Sequence, residues 1–215
     1  MKIRMGFRRM MAALGCAIVL FPASCLRAAD GQTSSPQIGY EVVGQVLNPS
    51  AQASQQYGYL NFVRGVERIT NSLGASVSES TALLTFFNDT TTQQVINNGP
   101  MRLVDRTGTG AIYFGTGNAD FTNPATFKLG TAVQNYSLRH QVVIDTSTGY
   151  FTTTFEMTVT DVKGFEIDGT TYRLGHPGSV YRLTVFGKLT AQSPPSAYIA
   201  GLADGPGVTG AVQSH

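Results

Sequence analysis

Val133–Val162, VQNYSLRHQVVIDTSTGYFTTTFEMTVTDV, is the stretch that decides the fold. Tyr136, Leu138, His140, Val142 and Ile144 fall at every second position, with Asn135, Ser137, Arg139 and Gln141 between them. That is the period of a strand with one buried face. Asp145–Gly149 is a run of turn formers, and Gly149 accepts positive φ without a Cβ clash. The return strand alternates Phe151, Thr153, Phe155, Met157 and Val159 with Thr152, Thr154, Glu156, Thr158 and Thr160. Stiff β-branched and aromatic side chains suit a pleated surface, so the stretch reads as a long hairpin.

The flanking segments read as its neighbours. Gln37–Leu47 is a first strand, with Ile38, Tyr40, Val42, Gly44 and Val46 on one face. Asn48–Gln56 reads as loop, Gly58–Val66 as the second strand, and Glu67–Ser78 as loop with room for a short helix. Glu79–Asn88 is apolar on both faces, the pattern of a strand covered on both sides. Thr91–Ile96 is a weaker strand closed by Asn97–Pro100. Met101–Arg106 and Gly110–Phe114 read as two strands around Thr107–Gly110, and Ala125–Leu129 as a short strand. Phe165–Tyr172 turns at Asp168-Gly169, a strong local hairpin signal. Ser179–Leu189 is the last strand, with Tyr181, Leu183, Val185 and Leu189 inward.

About ten short strands at this spacing, with no sustained 3.6-residue period, predict an all-β fold. Short turns make neighbours antiparallel, and closure removes exposed edges, so a single antiparallel β-barrel is expected, with a β-sandwich as the alternative. The barrel domain is expected over 37–191. Residues 192–215 are rich in Pro, Gly and Ala with little to bury, which predicts a flexible C-terminal tail.

Residues 1–29 have the order of an export signal: basic Met1–Arg9, apolar Met10–Leu20, then small residues at Leu26–Ala29. The apolar run is shorter than a membrane span of about 20 residues, and Pro22 interrupts it. Residues 30–36 read as a polar linker. A secreted or periplasmic location follows as the expectation. Phe21–Cys25 faintly resembles a bacterial lipobox, so a lipoprotein anchored at Cys25 is the alternative. The whole chain carries 15 basic and 13 acidic residues. Five basic residues and no acid lie in 1–29, so the remainder has 10 basic against 13 acidic, a net −3. That balance, with no basic stripe bearing interleaved aromatics, argues against nucleic acid as a partner. Both cysteines, Cys16 and Cys25, fall inside the export segment, so a cleaved chain has neither thiol nor disulfide.

Gly110–Phe114, Ala119–Gly130 and the hairpin carrying Thr148-Gly149-Tyr150-Phe151 resemble the strand grammar of allene oxide cyclase and dirigent barrels. The same grammar is similar to that of small secreted bacterial β-proteins. The resemblance spans roughly Gly58–Leu189 and rests on the spacing of glycines and aromatics. It implies a barrel and transfers no active residue.

Motifs for familiar chemistries are missing: there is no G-x-S-x-G, HExxH or P-loop. Gly115–Asp120 faintly resembles a calcium-binding glycine–aspartate repeat, but a single imperfect copy reads as a turn. His176 sits in the turn Gly175–Gly178, a solvated position, and no ligand spacing supports a metal. His140 shares the buried face of its strand, where a barrel interior would lower its pKa by desolvation. It is expected either to contact a ligand or to be a core histidine bonded to a hydroxyl. Tyr136 lies on the same face. Glu156 lies on the threonine face of the return strand: a polar lumen if that face points inward, a surface charge if it meets solvent. His140, Tyr136 and Glu156 are therefore the expected ligand-binding residues; no catalytic residue, metal or cofactor is assigned. The expected function is binding of an apolar or amphipathic small molecule by an exported barrel. The alternatives are a cyclase- or isomerase-type enzyme that positions a reactive substrate, and a structural envelope protein without ligand.

Overall fold

In the computed structural model, which describes residues 37–191 and 193–213, alternating side chains wrap eight antiparallel strands into a closed barrel. The export segment, the linker, Cys16, Cys25 and His215 lie outside the described residues. The wall runs β1 (Ile38–Leu47), β10 (Ala197–Asp204), β9 (Val180–Leu189), β6 (Tyr150–Val162), β5 (Thr131–Asp145), β4 (Met101–Phe114), β3 (Leu84–Asn98) and β2 (Ala53–Val63), which returns to β1. Inward positions form one apolar core that includes Leu60, Leu84, Ile112, Met157 and Tyr181, all essentially inaccessible to solvent.

The central hairpin forms as its alternation demands. Burial along β6 alternates residue by residue from Phe151 to Val159, and His140 of β5 stands opposite Phe155. Beyond it, a three-stranded sheet of β7 (Phe165–Ile167), β8 (Thr170–Leu174) and β11 (Val208–Gln213) packs on the end of the barrel where β5 begins. Its turn is the expected one, with Asp168 and Gly169 both at positive φ (52° and 75°). The Gln134 side-chain amide on β5 donates to the Leu174 carbonyl at 2.7 Å, tying this sheet to the wall. The other end of the barrel is ringed by the C-terminal ends of β1, β5 and β9.

Three expectations need correction. The tail expected from residue 192 contains β10, which closes the barrel against β1 and β9, and β11, which pairs with β8. Ala197, Ile199 and Ala203 are fully buried there. The stretch looked featureless because its outward residues, Tyr198, Ala200 and Leu202, are also small or apolar, so the alternation has little contrast. Second, Met101–Phe114 is one strand, not two around a turn. A Cβ on Gly108 would lie 2.1 Å from the Asp89 carbonyl oxygen, and one on Gly110 would meet the Asn88 side chain. Those glycines admit a neighbouring strand rather than a reversal. Third, residues 125–129 do not form a strand: Pro124–Lys128 is a 3₁₀ turn laid on the outside of β2 and β3, where Phe127 packs against Tyr57 and Phe87. It supplies the second cover expected for the doubly apolar strand around Leu84–Phe87.

Candidate functional site

His140 is 2% exposed, and neither ring nitrogen has a hydrogen-bond partner among the described residues. The Phe155 ring meets it edge-on, with centroids 4.6 Å apart. Arg106 stands opposite it on β4. Burial, and secondarily the Arg106 charge, push the His140 pKa from its ordinary 6.5 down to about 3. The imidazole is therefore neutral at pH 7, with one N–H donor and one acceptor.

Arg106 is half-buried, and burial pulls its pKa downward. Its Nε donates to Thr92 Oγ1 at 3.2 Å, and among the described residues no carboxylate approaches it within 4 Å. Gln56 on β2 is also buried: its amide donates to Ser54 Oγ at 2.8 Å and Thr90 Oγ1 at 3.3 Å, leaving Oε1 without a partner.

These three side chains border one cavity of about 50 Å³ in the barrel interior. Its walls are apolar, with Val142, Phe155, Val185 and Ile199 among them, and Asn48 and Leu189 stand where it meets the open end of the barrel. A water-sized probe fills about 10–15 Å³, so there is room for a few waters or a group of a few heavy atoms. Pockets that enclose a whole drug-sized ligand are larger, roughly 300–1,000 Å³.

Of the sequence-predicted ligand residues, only His140 borders this cavity. Tyr136 lies farther along β5, where its hydroxyl donates to Asn88 Oδ1 at 2.7 Å in a nearly filled part of the core of about 10 Å³. Burial pushes its pKa upward, and it behaves as a satisfied core tyrosine. Glu156 is exposed on the outer wall, opposite Arg139 and Arg182, because Phe155 and Met157 take the inward positions of β6. The lumen therefore contains no carboxylate from this strand. Arg106 and Gln56 were missed. Arg106 shares parity with the buried Val104, a signal present in the sequence; Gln56 fell in a stretch read as loop.

Elsewhere, His176 is exposed in its turn and its Nδ1 lies 2.9 Å from the Pro177 carbonyl oxygen. Asp120 caps its own loop, accepting from the Thr122 amide at 2.8 Å. Among the described residues no three His, Cys, Asp or Glu side chains are grouped as a metal would require, and no helix is long and apolar enough to cross a membrane. On the outer wall near the open end, Tyr150, Phe186 and Tyr198 border a wide apolar groove of about 600 Å³, with Lys188 Nζ 4.7 Å from the Tyr150 ring centroid.

A neutral buried histidine makes stability depend on pH. The unfolded state regains a pKa near 6.5 while the folded value is about 3, so the unfolded chain binds more protons between those values. Stability is thus expected to fall as pH drops below 6.5, by about 2 kcal/mol between pH 7 and 5 from this group alone. In His140→Phe that component disappears, and stability at pH 7 is expected to hold or rise, because no partner is stranded. Paired urea melts at pH 7 and 5 check it; equal pH slopes in both proteins would contradict a neutral His140.

His140, Arg106 and Gln56 thus place unmet donors and acceptors around one small apolar-walled cavity. No protein-family model, no curated protein and no solved structure matches the chain.

Proposed function

We propose that the barrel is a binding module that takes the polar head of an amphipathic small molecule into the His140 cavity, with the rest of the ligand at the Asn48–Leu189 mouth. The observation that carries this reading is the orphaned polarity of the cavity. Two imidazole nitrogens and the Gln56 Oε1 lack partners among the described residues, at sites where an unmet buried group costs about 1–3 kcal/mol. Waters or a ligand head must meet that need, and the apolar wall favours a ligand that brings carbon with it. The small volume restricts the buried part to a head group.

The reading extends to location. The basic, apolar, small-residue order of residues 1–29 supports export, with a mature N-terminus near Ala29 or Asp30. Mass spectrometry of protein from its native host tests this; a chain retaining Met1 would sink it, and a diacylated Cys25 would convert it to an anchored form. The spacing of glycines and aromatics over Gly58–Leu189 supports kinship with allene oxide cyclase-like barrels as a further part of the proposal.

Binding is tested by amide NMR on the folded chain with a panel of short amphiphiles. A true ligand is expected to shift resonances of Gln56, Arg106, His140 and Phe155 saturably, and His140→Phe to weaken it. Shifts confined to the outer groove around Tyr150 and Phe186 would place binding elsewhere and overturn the reading.

A further inference from the structure

We propose that the head group accepted by this cavity is a carboxylate, held by the Arg106 guanidinium and the His140 N–H. The inference rests on the reading of the cavity as a ligand site and adds the charge of what enters it. Arg106 decides the sign. Arg106 is half-buried, and among the described residues it spends only its Nε in a hydrogen bond and meets no carboxylate within 4 Å. Arginine presents its remaining donors as a planar fork that matches a carboxylate in two parallel bonds. A neutral alcohol or amide would leave that charge without a counter-ion against apolar walls.

Charge count and size narrow the class further. Around the cavity, His140 is joined by β4 (Arg106), β6 (Phe155), β2 (Ser54 and Gln56), β1 (Val46), β9 (Val185) and β10 (Ile199), and only Arg106 among these carries charge. One cation balances one negative charge. A phosphate monoester, near −2 at neutral pH, would bury a surplus charge with no second cation to meet it. A carboxylate has three heavy atoms, which suits a cavity of about 50 Å³ and leaves space for water. Such water supplies donors to the acceptor nitrogen of His140 and to Gln56 Oε1, the two acceptors that a carboxylate cannot satisfy.

The bound anion also changes the setting of His140. Burial and Arg106 now disfavour imidazolium; a carboxylate between the two reverses the electrostatic part. Carboxylate binding is therefore expected to move the His140 pKa upward, with burial still opposing imidazolium.

The probes are sodium acetate, propionate and butyrate, with propanol and propionamide as neutral counterparts, titrated at constant ionic strength into the folded chain and followed by amide NMR. The expected result is saturable movement of the Gln56, Arg106, His140 and Phe155 resonances, with carboxylates binding at least about tenfold tighter than the neutral probes. Arg106→Gln should remove that preference, bringing carboxylate binding down to the level of the neutral probes. If Gln at this position prevents folding, Arg106→Lys keeps the charge, loses the fork and should weaken carboxylates. Neutral probes binding in the cavity as well as carboxylates, with Arg106→Gln without effect, would overturn the carboxylate and leave the binding module standing. No movement of those four resonances with any probe would overturn both. Shifts only near Lys188 would mean surface attraction and overturn the carboxylate site.

Discussion

A chain ended at Thr190 is expected to lose its cooperative thermal transition and to aggregate. It lacks β10, whose eight residues pair with β1 on one side and β9 on the other. Both of those strands would become open edges, which template association with other chains. Ala197, Ile199 and Ala203 would leave the core, and truncating a single buried Ile to Ala alone costs about 2–5 kcal/mol. With two hydrogen-bond ladders gone as well, the loss should exceed a typical stability of about 5–15 kcal/mol. A chain ended at Gly207 is the control. It loses only β11, which pairs with β8 in the small sheet, so it should still melt cooperatively, at a cost of about 1–3 kcal/mol. Circular dichroism melts with light scattering distinguish the two. A Thr190-ended chain with the melting temperature of the full chain would show that β10 does not close the barrel.

Gly58→Val is expected to have the next largest effect. Gly58 and Gly44 face each other in the β1–β2 ladder. A Cβ on Gly58 would lie 2.1 Å from the Val43 carbonyl oxygen and 2.6 Å from the Gly44 Cα. Backbone cannot step aside as a flexible side chain can, so the two strands must separate, and Phe86, 2.9 Å from the same Cβ, must move with them. The cost should exceed about 4 kcal/mol, the range reserved for core disruption. Gly99→Ala is the comparison: Gly99 has a positive φ of 57° but nothing within 4 Å of the added carbon. It should cost only its backbone strain, about 1–2 kcal/mol. Denaturant midpoints rank the two, and equal losses would refute the steric origin.

The parts of the fold that were legible are those where the two faces of a strand differ in chemistry. Phe151 to Val159 against Thr152 to Thr160 is unambiguous because all of one set but Thr153 is apolar and all of the other is polar. Tyr198, Ala200 and Leu202 against Ala197, Ile199 and Ala203 carry no such contrast, and a strand of the wall passed for a tail. Glycine misled where it serves packing: Gly108 and Gly110 make room for β3, yet they read as a turn. His140 was placed from parity alone, and the same parity applied to Val104 and Arg106 would have found its charged neighbour. What parity could not show is register. Arg106 and His140 are 34 positions apart, and only the strand alignment sets one across from the other.

Closure of the wall by β1 and β10 also has a kinetic side. Ile38 pairs with Asp204, so nearly all of the described chain must be present before the ring can shut. As the chain folds, β1 can find β2 early, but its other flank waits for β10, far along the sequence. Contacts that distant in sequence carry a large loop-closure entropy and place folding in the slow, millisecond-to-second range typical of non-local β topologies. In that interval the half-finished curl exposes two unpaired strand edges. The chain is thus most vulnerable to association in the interval before β10 docks between β1 and β9.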